Sequence, residues 1–176
     1  MLNQNNQTMK RLGLLKTLTT LLLIASGIAL FFGLPFILMV AVMPGSIPFK
    51  INGLSADAAN IETILLMLAL VIGLGFFTYA LYLFKKVLEL FEKKKIFHDD
   101  VIKNLDQIGK AIIIGYFIMA VPYALYIMIV QDVVDFSVHI GFNESILTVG
   151  LGLFFMVLSE VFLMAKNIKE ENDLTV

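Results

Sequence analysis

No cysteine occurs in the 176 residues, which excludes a disulfide framework, a thiolate nucleophile and a cysteine-based zinc site. Charge is scarce: 15% of residues are charged, against about 25% in an average soluble domain. The 13 basic and 14 acidic residues leave a formal net charge of -1, so no bulk charge draws nucleic acid or acidic substrates. No Gly-rich phosphate loop, nucleophile elbow or zinc-protease motif is present. No apolar run holds paired carboxylates. These absences leave almost no catalytic side chains, so the chain reads as a non-enzyme with no catalytic, cofactor-binding or metal-binding residues.

What is there is apolar. Hydrophobic residues make up 59% of the chain, and its mean hydropathy is +0.91. Too few polar residues remain to cover a water-soluble globule of this size, and disorder is excluded for the same reason. Four runs, at about 17–43, 61–84, 111–130 and 146–165, reach the ~20 residues that a helix needs to cross the hydrocarbon core. They are continuous rather than alternating, so helices and not barrel strands are expected. The first run exceeds the ~7–15 residues of a signal core and reads as a retained anchor. Pro35, after Gly33, is its natural kink. The expectation is an all-α, integral membrane four-helix bundle forming a single transmembrane domain over 1–176.

Lysine and arginine set the orientation. With both termini and the middle connection on one side, twelve of the 13 basic residues share that side and only Lys50 lies opposite. The positive-inside rule then makes both termini cytoplasmic in a multi-pass protein of the cytoplasmic membrane. His98 and His139 fall on opposite sides and make no metal site. In the first outer segment, IPFKI suggests a short strand, and Ser55 or Asp57 suits the cap of the second helix. In the second, QDVVDFSVHIGFNES, alternating apolar residues suggest an extended piece.

The middle connection keeps a helical pattern. Leu83, Val87, Leu90 and Phe91 continue an apolar stripe past the membrane edge. Phe97, Val101, Leu105 and Ile108 share a face of the next helix, with His98 at its N-cap and Phe97 stapled onto Ile102. Helices two and three therefore form a hairpin extended into the cytoplasm, the second ending near Lys93 and the third starting near Asp99. Small residues spaced by four predict close helix packing: Ala25, Ala29 and Gly33; Ala69 and Gly73; Ala111 and Gly115; Thr148 and Gly152.

Among individual residues, Glu160 is the one charged residue well inside a run, six residues before Lys166 and so toward its cytoplasmic third. An intramembrane acid points by default to proton or ligand chemistry, against a structural pair with Lys16, Lys85 or Lys110. A small transporter or oligomeric channel built on Glu160 is the alternative reading of function. Lys93, Lys94 and Lys95 form a basic run that suits anionic headgroups, or simply marks topology. Tyr79, Tyr82, Tyr116, Tyr123 and Tyr126 are interface anchors or a polar lining. The tail places Glu170, Glu171 and Asp173 beside the terminal carboxylate. Such an acidic end suits a basic DNA-binding surface, where it competes with phosphate, or is a solvated frayed terminus.

The C-terminal LSEVFLMAKNIKEENDLTV, with Glu160, Phe162, Ile168, Glu170, Glu171, Asp173, Leu174, Thr175 and Val176, resembles the closing motif of a bacterial membrane family. That family is the uncharacterised YoaS-like family, domain of unknown function 2975. IFHDDVIKNLDQIGKAIIIGY resembles its approach to the third span. Members are often encoded beside a small helix-turn-helix regulator. The resemblance therefore implies a membrane sensor or sequestering partner of a cytoplasmic transcription regulator, touching the lipid bilayer and that regulator but no nucleic acid directly. A homo-oligomer is compatible with this reading.

Overall fold

A computed structural model describes residues 2–43, 50–51, 54–55, 60–130 and 142–174. In chain order these form α1 (Leu2–Val42), β1 (Lys50–Ile51), β2 (Leu54–Ser55), α2 (Ile61–Glu92), α3 (Asp99–Val130) and α4 (Phe142–Leu174). Each helix contains a stretch long and apolar enough to cross a membrane, so the expected all-α set of four membrane-length helices is present.

Several local expectations change. Helix α1 starts at Leu2, well before residue 17, and runs through Pro35 to Val42. Of IPFKI, Lys50 and Ile51 pair antiparallel with Ser55 and Leu54, while residues 47–49 lie outside the described residues. Ser55 is drawn into this ladder and does not cap α2. Asn60 holds that position without a side-chain bond, and Asp57 lies outside the described residues. So does the stretch 131–141 with Asp132, Asp135 and His139. Residues 142–145, read as loop, belong to α4.

The middle connection follows expectation closely. Helix α2 stops one residue before Lys93, and the chain closes it with a Schellman turn. Lys95 N–H donates to Leu90 O, and Lys94 N–H donates to Phe91 O, both at 2.9 Å. Lys94 takes φ 59°, the left-handed position that glycine usually fills. At the start of α3 the Asp100 N–H donates to His98 Nδ1 at 3.3 Å, so His98 is the N-cap. Phe97 packs on Phe162 of α4, with ring centroids 6.1 Å apart.

The helices pack as an open row: α1 on α2, α2 on α3, α3 on α4. Among the described residues α1 makes no close backbone approach to α3 or α4. The densest packing surrounds the hairpin end of α2 and α3. Ala80, Leu83, Val87, Val101, Leu105, Ile108, Ala111 and Ile112 are buried there. Phe155, Leu158 and Phe162 of α4 close over them. A smaller cluster joins Ile37 and Val40 of α1 to Met67 of α2.

Two glycine contacts fix the spacing. A Cβ on Gly73 would strike Met119, and one on Gly115 would meet Phe76 Cβ at 2.9 Å. A Cβ on Gly109 would meet Gly152 O at 2.5 Å, and one on Gly152 would meet Ile113 Cγ1 at 2.6 Å. The expected small-residue packing therefore operates between α2 and α3 and between α3 and α4. On α1 only Gly33 joins in, against Val71 at 3.1 Å. Ala25 and Ala29 are exposed, turned from α2.

Gly109→Ala is expected to destabilise the fold by about 1–3 kcal/mol, because backbone cannot retreat from the new methyl. Gly75→Ala, where nothing lies within 4 Å, should be neutral or gain up to about 1 kcal/mol in helix propensity. Thermal unfolding in one detergent compares the two. Lys94→Gly should stabilise the turn by roughly 1 kcal/mol by removing the left-handed penalty, read from the same melts.

Candidate functional site

The residues singled out by the sequence gather where α4 passes the hairpin end. Their depth follows from successive contacts along the antiparallel α3–α4 pair. Gly152 meets Gly109. Further on, Ser159 Oγ–H donates to Ile102 O at 2.8 Å. Phe162 then meets Phe97, and Lys166 Nζ pairs with Asp99 Oδ1 at 2.7 Å. Glu160 follows Gly152 by eight residues, about 12 Å at 1.5 Å per residue.

Glu160 therefore stands beside the first turns of α3, level with the polar stretch from Asp99 to Lys110 and not with the apolar run 111–130. The physical reason is a division of labour along the run 146–165: its first part is level with apolar α3, whereas Phe155, Leu158 and Phe162 cover the hairpin core. Hydropathy reads both uses alike. Glu160 is exposed. Lys16 is held by Glu92 at 2.8 Å and Lys110 by Asp106 at 2.7 Å. Among the described residues, Glu160 forms no ion pair with Lys16, Lys85 or Lys110.

A polar belt marks the same zone on the opposite flank. Tyr79 Oη–H donates to Gln107 Oε1 at 3.3 Å. Lys86 Nζ lies 5.2 Å from the Tyr82 ring centroid, an ammonium over an aromatic face. Both tyrosines are exposed, the placement expected of interfacial anchors. The other tyrosines serve packing. Tyr126 is buried and its hydroxyl shares a 3.2 Å hydrogen bond with Thr63. Tyr123 packs beside it, and Tyr116 lies edge-on to Phe117.

Lys93, Lys94 and Lys95 are exposed on the Schellman turn, where their charge opposes the negative end of the α2 dipole. Beyond the turn, Lys166 holds both Asp99 and, at 3.5 Å, Glu170. Glu171 and Asp173 follow within the last turns of α4. Asp99 lies below its ordinary pKa, chiefly through the Lys166 hydrogen bond, and the same bond raises Lys166. Both groups stand outside the apolar spans.

Two recesses accompany these features. One of about 370 Å³ lies between α1 and α2 around Lys16, Thr17, Thr20, Leu21 and Glu92. An apolar groove of about 660 Å³ runs between α2 and α3 past Leu65, Ile72, Phe117 and Pro122. Among the described residues no three His, Cys, Asp or Glu side chains converge as metal ligands would.

A family described as a protein of unknown function (DUF2975) matches residues 47–176. The chain belongs to this family. No curated protein and no solved structure matches it. The DUF2975 region takes in α2, α3 and α4 with both glycine contacts, the Schellman turn and the acidic end of α4. Helix α1, with Lys16 and the basic pair Lys10 and Arg11, lies before the matched region.

The Asp99–Lys166 pair gives α4 a pH-dependent clasp. A lowered carboxylate contributes at neutral pH and loses its contribution as pH falls through its lowered pKa; a raised ammonium contributes until pH rises through its raised one. The spin-label distance between positions on the turn and on the last turn of α4 is expected to stay constant around neutrality. It should lengthen at both extremes, and Asp99→Asn should abolish the acid limb.

Proposed function

We propose that this DUF2975 member is a non-catalytic protein of the cytoplasmic membrane that holds a soluble cytoplasmic partner at its hairpin end. The supporting observation is the Lys166–Asp99 pair at 2.7 Å. It ties α4 to the start of α3, so Glu170, Glu171 and Asp173 stand beyond the turn rather than against the spans. The lysine distribution favours the cytoplasm for this end and for both termini. The acidic end of α4 suits a basic partner. The family resemblance names the kind of partner, a helix-turn-helix transcription regulator, which the membrane protein would sense or sequester.

The test uses the full chain in native membranes. The intact protein is expected to retain a helix-turn-helix regulator in pull-downs, and Glu170→Lys with Asp173→Lys is expected to release it and change transcription of its targets. A tag after Val176 should be protected in intact cells. Recovery of no regulator by the intact chain, with transcription unchanged on deletion of 167–176, would overturn the reading.

A further inference from the structure

The open row leaves α1 and α4 as its two edges, and the edges differ in charge. On α1, Lys10, Leu14, Leu18 and Leu21 recur at helical spacing on the side away from α2. Leu14, Leu18 and Leu21 are exposed, Leu14 at 61%. On α4, Val157, Val161, Met164 and Ile168 recur in the same way opposite the α3 contact, and all are exposed, Ile168 at 61%. Glu171 continues that face.

Lipid explains such faces only within the hydrocarbon. Leu14 and Ile168 stand among the charged residues at the end of the row. Lys16 is level with Glu92 and Lys166 with Asp99, and these two acids flank the turn. Leu14 lies two residues before Lys16, and Ile168 two residues after Lys166. Both apolar side chains therefore stand at the charged end, where exposure to water is unfavourable.

The depths also match. Lys10 and Arg11 precede Lys16 by six and five residues, and Glu170 and Glu171 follow Lys166 by four and five. At 1.5 Å per residue, both pairs stand roughly 6–9 Å beyond the same level. Lys10 and Arg11 make no ion pair among the described residues. Copies in one membrane share one orientation and depth. Moving a copy sideways brings its basic α1 beside the acidic α4 of the next with no axial shift, in antiparallel contact.

We propose that a second copy of this chain covers each edge, with the outward face of α1 packed on the outward face of α4 of its neighbour. The contact is heterologous, so it closes a ring or extends a row. It is independent of the regulator: a chain that self-associates without binding one leaves this inference standing and removes the other.

The cysteine-free sequence makes the test clean. Leu14→Cys and Ile168→Cys chains, whose positions share one depth, are produced singly and together, and native membranes are oxidised mildly. A disulfide needs Cβ atoms about 3.5–4.5 Å apart. The expected result is a band at twice the chain mass when both variants are present and none with either alone. Leu18→Cys with Met164→Cys, one turn deeper, should behave alike and guards against a misfolded variant. Lys10→Glu should lower the yield several-fold, with recovery when Glu171→Lys is on the other chain. No cross-link from either pair, as for lipid-covered edges, would overturn the proposal. So would equal cross-linking of single variants, as for a symmetric contact or random collision, or a product only with a protein of another mass.

Discussion

The contact of Gly109 with Gly152 sets the depth of everything on α4. In lipid, no hydrophobic drive pushes helices together, and close packing chooses the register. Here two backbones meet where neither can carry a side chain without displacement, so sliding α4 along α3 is resisted by shape. With that crossing fixed, Ser159 falls against Ile102, Phe162 against Phe97 and Lys166 against Asp99. Glu160 is carried to the polar turns of α3 by the same constraint. A register one helical turn different would move each of these pairs by about 5 Å and dissolve them together.

The hairpin end obeys a different rule from the spans. Charged residues crowd this end, and the apolar side chains among them bury one another. Val101, Leu105 and Ile108 are accordingly at most 2% exposed, whereas α1 within its apolar run turns most of its leucines outward. The row of helices is thus loosest along the apolar run of α1 and tightest at the hairpin end.

The four helices were legible because long, continuous apolar runs with almost no charge span lipid only as helices. The hairpin was legible too: Leu83 and Val87, then Val101, Leu105 and Ile108, keep helical spacing among charges, and His98 sits where a cap is needed. The covering of the hairpin core by α4 was not legible, since Phe155, Leu158 and Phe162 are as apolar on a hairpin core as in lipid. Neither was the true interface of α1, where Gly33 contributes and Ala25 and Ala29 do not; a small-residue spacing does not say which way it faces. Ser55 suited a cap by residue type, but pairing with Lys50 removed it from the helix start.

The Thr63–Tyr126 bond bears on how this protein is observed. The chain contains no tryptophan and five tyrosines, so phenol rings dominate its near-ultraviolet absorption and emission. Tyr79 and Tyr82 are exposed, while Tyr126 is 4% exposed with its hydroxyl engaged by Thr63. An intrinsic optical signal from this protein is therefore partitioned by depth: two rings sense the interface, and one senses whether the far ends of α2 and α3 remain together.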